Sequence, residues 1–284
     1  MKAIFTFLLT IISITTFAQK DFQGKATYMS KTTVDMANFG RRGGGGEMSE
    51  ARKKEIQKRM KSFLEKTFVL TFDKSSSLYK EEAKLAAPSA SNGRGPRFGG
   101  FSGGGIKYKN TKDKIALEST EFFGKKFLIS DEMEQPKWEL GSETKQIGNY
   151  TCFKATMLKD VDPLDFSNFR RRGNDDKKDE KEEEKDKKPT QIEVIAWYTP
   201  QIPVSNGPAE YWGLPGLILE INSGRTTVLC TEIVMNPSEK EEIKTPTKGK
   251  KITREDYTKT VTQKIEEMRE RFQRGGRNGG GRRF

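Results

Sequence analysis

Residues 195–221 read IAWYTPQIPVSNGPAEYWGLPGLILEI. The stretch enters as a strand, because Ile192, Val194, Ala196 and Tyr198 fall at every second position and a two-residue period marks a strand with one buried face. Pro200 and Pro203 end it, since proline fixes φ and removes a backbone donor. Asn206-Gly207-Pro208 reads as a turn in which Gly accepts positive φ. Gly213 leads into Leu214-Pro215-Gly216-Leu217, with Pro and Gly at the central positions of a type II turn. The apolar run Leu217 to Ile221 then leaves as a second strand. A strand, a stiff crossover and another strand make a sheet-based fold. The aromatics Trp197, Tyr198, Tyr211 and Trp212, with Leu214 and Pro215, surround the crossover. Two readings stay open: rigid side chains that line a binding groove, or side chains that seal a sheet edge.

The same alternation recurs on both sides of this stretch. Phe22, Gly24, Ala26 and Tyr28 form one set, Phe68, Leu70 and Phe72 a second, Ile106 and Tyr108 a third, and Val228 with Cys230 begins another. Strands that alternate in this way have one wet face, which favours antiparallel pairing. Thr253 with Asp256 three residues on has the spacing of a capping box, and Tyr257, Val261, Ile265, Met268 and Phe272 follow at helical intervals. A weaker helical stripe, Ile56, Met60, Phe63 and Leu64, lies within residues 47–64, on an otherwise basic surface. The fold class is therefore α+β: a mainly antiparallel sheet, curved or half-barrel, with a C-terminal amphipathic helix.

Charge limits how much of the chain this framework holds. Charged residues make up 32% of the 284 residues, against about 25% in ordinary domains. Residues 40–46 and 86–105 are Gly-rich, residues 170–188 are almost wholly charged, and residues 274–284 form a basic Gly/Arg tail. Such segments bury too little apolar surface to offset their conformational entropy, so they read as disordered insertions and a disordered tail. One β-rich domain over residues 19–250 then carries three insertions and is followed by a helix over residues 251–273. Residues 1–18 join a short charged start to an apolar run and a small residue, Ala18, which is the pattern of a cleaved secretory signal peptide. The chain is expected to be exported, to the periplasm, the cell surface or beyond. In an oxidising compartment Cys152 and Cys230 can form a disulfide, or each can be a small buried hydrophobe.

Residues 213–218, GLPGLI, resemble the signature of the GLPGLI family of exported Bacteroidota proteins. The likeness extends upstream through Ala196-Trp197-Tyr198-Thr199-Pro200, Ile202-Pro203, Gly207-Pro208, Trp138 and Ile147-Gly148-Asn149-Tyr150-Thr151-Cys152. It spans roughly residues 22–235, interrupted by the insertions. The resemblance implies an uncharacterised family with no established catalytic residues.

Several chemistries are excluded outright. The chain has no histidine and only two cysteines, so histidine-based triads, His-ligated zinc and all-cysteine zinc sites cannot be built. Ser205 has no nucleophile elbow and no evident base. Asp160, Asp162 and Asp165 lack the glycine and distal glutamate of a calcium loop. The expectation is a non-enzymatic protein without cofactor or metal. Its work would be binding an apolar ligand such as a lipid in the curve of the sheet, or assembly beside an outer-membrane receptor. Anionic envelope lipids are a further expected partner, through the basic stripe of residues 52–61 and the six arginines from Arg269 to Arg283. The alternatives are an Arg-Gly-rich binder of nucleic acid or another polyanion, opposed by the export signal, and a carboxylate hydrolase, opposed by the lack of paired acid and base.

Overall fold

The computed structural model describes residues 22–33, 64–82, 105–161, 164 and 191–277, together with the isolated positions 49–51, 54, 55, 58 and 61. The expected signal segment and the three expected insertions lie outside the described residues, Gly105 excepted, as do residues 278–284.

Among the described residues, twelve strands form one open sheet. They are β1 (Gly24–Thr32), β2 (Glu65–Phe72), β3 (Ser76–Glu81), β4 (Ile106–Asn110), β5 (Ile115–Phe122), β6 (Lys125–Glu132), β7 (Glu139–Ile147), β8 (Tyr150–Asp160), β9 (Gln191–Thr199), β10 (Leu217–Ser223), β11 (Thr226–Met235) and β12 (Lys250–Ile252). Their order is β12-β6-β5-β4-β3-β2-β1-β11-β10-β9-β8-β7. Every ladder is antiparallel except β12 with β6. The expected strands in residues 22–28, 67–72, 106–109, 192–198, 217–221 and from 228 are all present. Strands β3, β5, β6, β7 and β12 carry no clean alternation and emerge only from pairing. β5 and β6 are joined by two residues and pair from Ile115↔Glu132 to Phe122↔Lys125, so each supplies the ladder that the other's pattern does not announce.

The sheet curls strongly. β4 and β8 are seven strands apart in the order, which across a flat sheet is about 34 Å. Lys107 on β4 and Lys159 on β8 nevertheless reach the same Glu210 carboxylate, at 3.1 and 2.5 Å. The curl is sharpened where β10 leaves β11. β10 pairs with β11 only from Glu220 to Ser223, while Leu217 and Ile218 pair with β9 and a register shift follows Ile218. Leu217 and Leu219 pack with Ala26, Tyr28, Leu70, Phe72 and Cys230. Ile218 and Ile221 join Ala155, Val194, Ala196 and Tyr198 in a second cluster.

The C-terminal helix runs Arg254–Arg277, ending four residues beyond the expected 273, so the backbone of Arg274–Arg277 is helical rather than part of a disordered tail. The Thr253 hydroxyl accepts from the Asp256 N–H at 3.2 Å, the expected cap. Asp131 on β6 accepts the Arg254 N–H at 3.0 Å. Tyr257 and Val261, with Ile265, pack onto Phe122, Phe127 and Ile129, so the first three residues of the predicted stripe cover one end of the sheet; the side chain of Phe272 lies outside the described residues. The other predicted helix is helical at its described positions from residue 50 to residue 64 and leads into β2; Ile56, Met60 and Phe63 lie outside the described residues.

Candidate functional site

Residues 200–216, the quoted crossover, fill the hollow of the curled sheet. Proline and glycine make this possible by keeping the backbone tight. The N–H groups of Val204, Asn206 and Gly216 each bond the carbonyl two residues back, at 2.8 Å, so the loop is built of narrow γ-turns. This corrects the expected type II turn at Leu214–Leu217: it is a γ-turn about Pro215, and Gly213 is the glycine held at positive φ (92°). Gly216 is required for a different reason. A Cβ there would stand 2.2 Å from the Thr199 carbonyl oxygen. Gly207 likewise meets the expected turn only by close approach, since a Cβ would fall 2.8 Å from that of Ile218.

Side chains from elsewhere in the chain pair with polar groups of the loop and of the start of β10. Lys109, 3% exposed, donates its Nζ protons to the carbonyls of Gly207 at 2.7 Å and Tyr211 at 2.9 Å. The Ser77 hydroxyl meets the Asn206 side-chain oxygen at 3.0 Å, and that oxygen also accepts the Gly207 N–H. Trp138 Nε1 donates to the Trp212 carbonyl at 2.7 Å. The Tyr28 hydroxyl donates to the Ile218 carbonyl at 2.7 Å. A loop enclosed this deeply must have its backbone groups paired, and Lys109 on β4 and Trp138 just before β7 pair three of its carbonyls.

A line of charge crosses the mouth of the hollow. Arg254 bonds Glu118 at 2.6 Å, Glu118 lies 3.8 Å from Lys107, and Lys107 and Lys159 hold Glu210 between them. Lys159 also stands 5.3 Å from the Tyr211 ring centroid. Burial works to raise the Glu210 carboxyl, but Lys107 and Lys159 outweigh it and hold it well below the ordinary carboxylate range. Lys109 has no such rescue: burial pulls its amine down to about 7, against the attraction of Glu210. Burial likewise pushes the Tyr28 and Tyr79 hydroxyls upward.

Residues 138–220 match a family described as a protein of unknown function (Porph_ging). That stretch contains Trp138, the whole crossover and the first residues of β10, so the matched sequence is largely the plug and its near wall. A search of the curated proteins finds no match. Among solved structures, two of PNGF-II are similar. Its C2 crystal form has 12% identity and a TM-score of 0.46, over 84% of this chain and 32% of that one. Its P21 form has 12% identity and a TM-score of 0.44, over 81% and 32%. The chain thus spans about a third of the length of the solved structures it resembles.

Of the six candidate binding residues, Tyr198, Tyr211 and Leu214 share one apolar cluster, while Trp197 packs against the other. Tyr198, Tyr211, Trp212 and Leu214 are buried, Trp197 is half-buried and Pro215 is exposed. Of the two readings left open, the packing is that of a seal: Tyr211 and Leu214 of the loop share a cluster with Ala155, Val194 and Ala196, where their area counts most. The same plug occupies the hollow in which an apolar ligand was expected. Of the two readings for the cysteines, the structure has the small buried hydrophobe. Cys152 and Cys230 are free, buried thiols that lie in one apolar cluster and turn to carbonyls of their own strands, those of Tyr150 and Glu232. Burial pushes them up to about 11 and about 12. Asp162 and Asp165 lie outside the described residues, and Asp160 accepts from Gln191 at 3.0 Å. No group of three or more metal-ligating side chains occurs among the described residues.

Lys107, Lys109, Glu118 and Glu210 were missed by the sequence reading. Ile106 and Tyr108 suggested that β4 buries its apolar face and wets its lysines. Instead Ile106 is 40% exposed and Lys109 faces the loop. The sequence carried one signal of this, a loop rich in proline and glycine whose carbonyls would need donors from elsewhere.

Proposed function

We propose that this is an exported cell-envelope protein of the GLPGLI type that works without covalent chemistry, as an assembly module docked to an outer-membrane protein. The observation that carries the reading is β7. It is an edge strand, exposed at seven of its nine positions, and it leaves a row of backbone groups open to an added strand. Leu140 on β7 and Leu158 on β8 are the most exposed large apolar residues among those described, at 63% and 70%. A register shift between Leu140 and Thr144 and the charges of Glu139, Glu143 and Lys145 guard this edge against copies of itself, which suits an edge kept for a complementary partner. Two further features support a binding role over an enzymatic one. The aromatic loop is a plug, and the amine with the lowered pKa is enclosed against two carbonyls.

The test is a photo-crosslinking residue at Ser142 in living cells, followed by fractionation and N-terminal sequencing. A chain beginning at Gln19 in the envelope fraction, with an adduct to one outer-membrane protein that is lost on Leu140→Lys and Leu158→Lys, is the expected result. A chain retaining Met1 in the cytoplasm, or crosslinks unaffected by both substitutions, would refute the reading.

A further inference from the structure

The turn between β5 and β6 is two residues long, and both lie in the left-handed region: Phe123 at φ 47° and Gly124 at φ 75°. That is the type I′ hairpin turn, in which Asn-Gly is favoured because Asn tolerates such a backbone. A bulky aromatic there is strained, and strain retained at a surface points to use. Phe123 is 54% exposed, with its ring edge-on to Phe122 at 4.6 Å. Phe122 is itself buried beneath the C-terminal helix, so the turn rests on a firm base.

Five lysines lie on or beside the strands that run back from this tip, within about four residues of it. Lys125 and Lys126 open β6. Lys250 and Lys251 on β12 run beside Phe127 and Leu128. Lys248 is held close by its carbonyl, which accepts the Ser119 hydroxyl at 3.4 Å. All five are exposed, and none forms an ion pair among the described residues. The carboxylate that faces them across the ladder is Glu121, opposite Lys126.

We propose that this hairpin tip is a membrane-docking site: Phe123 enters the interface of an anionic bilayer while Lys125, Lys126, Lys248, Lys250 and Lys251 meet the lipid phosphates. An aromatic at headgroup depth backed by lysines is the arrangement that interfacial anchoring requires. The site lies toward the opposite edge of the sheet from β7, and it does not rest on the docking reading above. A bilayer at β5–β6–β12 would leave the β7 edge free for a protein.

The test places an environment-sensitive nitrobenzoxadiazole probe on Phe123→Cys in the chain as purified from expressing cells. Cys152 and Cys230 are buried, with thiols shifted upward, and so react poorly. Vesicles of phosphatidylglycerol mixed with phosphatidylcholine should shift the probe to the blue, and pure phosphatidylcholine should not. K126Q/K250Q/K251Q should weaken binding on the order of 100-fold at low salt, since each lysine near an anionic surface is worth roughly fivefold. The control K31Q/K112Q/K137Q removes equal charge from exposed lysines elsewhere and should change it by less than about fivefold. Equal losses in the two triple variants would reduce the effect to overall charge and overturn the proposal. So would a probe that stays in water on bound vesicles. Thermal melts verify that all variants are folded.

Discussion

The crossover of residues 200–216 and the β5–β6 turn are both glycine-containing and aromatic, yet they meet opposite fates. Tyr211 and Trp212 are 6% and 7% exposed, whereas Phe123 is 54% exposed. Hydrophobicity does not separate them, because both display large rings. The difference lies in backbone pairing and position. The crossover is long enough to fold back into the hollow, and Lys109, Ser77 and Trp138 supply partners for its polar groups. The hairpin turn is fixed at a strand end with two residues to place and cannot fold back. An aromatic loop is buried when the sheet provides donors for its carbonyls, and stays outside when the ladder holds it there.

The strongest way to break the buried side of this comparison is Gly216→Ala. Its new methyl would fall 2.2 Å from the Thr199 oxygen, in backbone that cannot step aside, and the expected loss is about 3 kcal/mol or more. In a chain of this size that lowers the melting temperature by roughly 10 °C; a shift within about 2 °C would mean the loop is loosely seated.

Lys109→Met comes next. It orphans two enclosed carbonyls, at about 1–3 kcal/mol each, and relieves a buried charge in part compensation, for a net loss of about 2 kcal/mol in urea unfolding. The pH dependence separates these contributions. The folded Lys109 amine releases its proton near 7, while the unfolded amine keeps it to about 10.4. The unfolded state therefore binds more protons in that window, and stability from this group rises with pH. Above about pH 8.5 the buried thiols act oppositely, because they ionise in the unfolded chain first. The parent protein should gain stability from pH 7 to pH 8.5, and Lys109→Met should lack that rise. Parallel pH curves would show that the amine is solvated.

Glu210→Gln sharpens the comparison at the mouth of the hollow. It removes the carboxylate that joins β4 to β8, but nearly half of that side chain is exposed, so the loss should be about 1 kcal/mol or less. The smallest effect should favour the variant. Phe123→Asn places the preferred residue in the left-handed turn and should stabilise by about 0.5–1 kcal/mol, seen as a melting rise of about 2 °C. A destabilised Phe123→Asn would show that the ring contributes to the fold and that its strain is offset locally.

Much of the framework was legible beforehand, and the reasons are local. Alternation announced β1 and β9 because one face of each is wetter than the other; it placed β2 and β4 as strands but not their faces, since β2 ends buried on both sides and β4 turns Lys109 inward. The Thr253 cap and the Tyr257–Val261–Ile265 stripe announced the helix because capping and periodicity are properties of neighbours in sequence. β5, β6 and β7 were illegible because mixed polarity on both faces hides a two-residue period. The site was legible in place but not in posture. The crossover was singled out by its prolines, glycines and aromatics, yet nothing local distinguishes a groove wall from a plug.

The sequence by itself determined that the chain would form a mainly antiparallel sheet with a C-terminal helix, that residues 200–216 would be stiff, and that histidine chemistry is impossible. Those conclusions follow from φ restriction, periodicity and residue inventory. Tertiary structure alone decided that the loop faces inward, that Lys109 turns inward to meet it, and that Cys152 and Cys230 remain thiols. Each depends on distances between residues far apart in the chain: 98 positions separate Lys109 from Gly207. Only the curl of the completed sheet brings those groups within bonding distance, and a local pattern carries no measure of that curl.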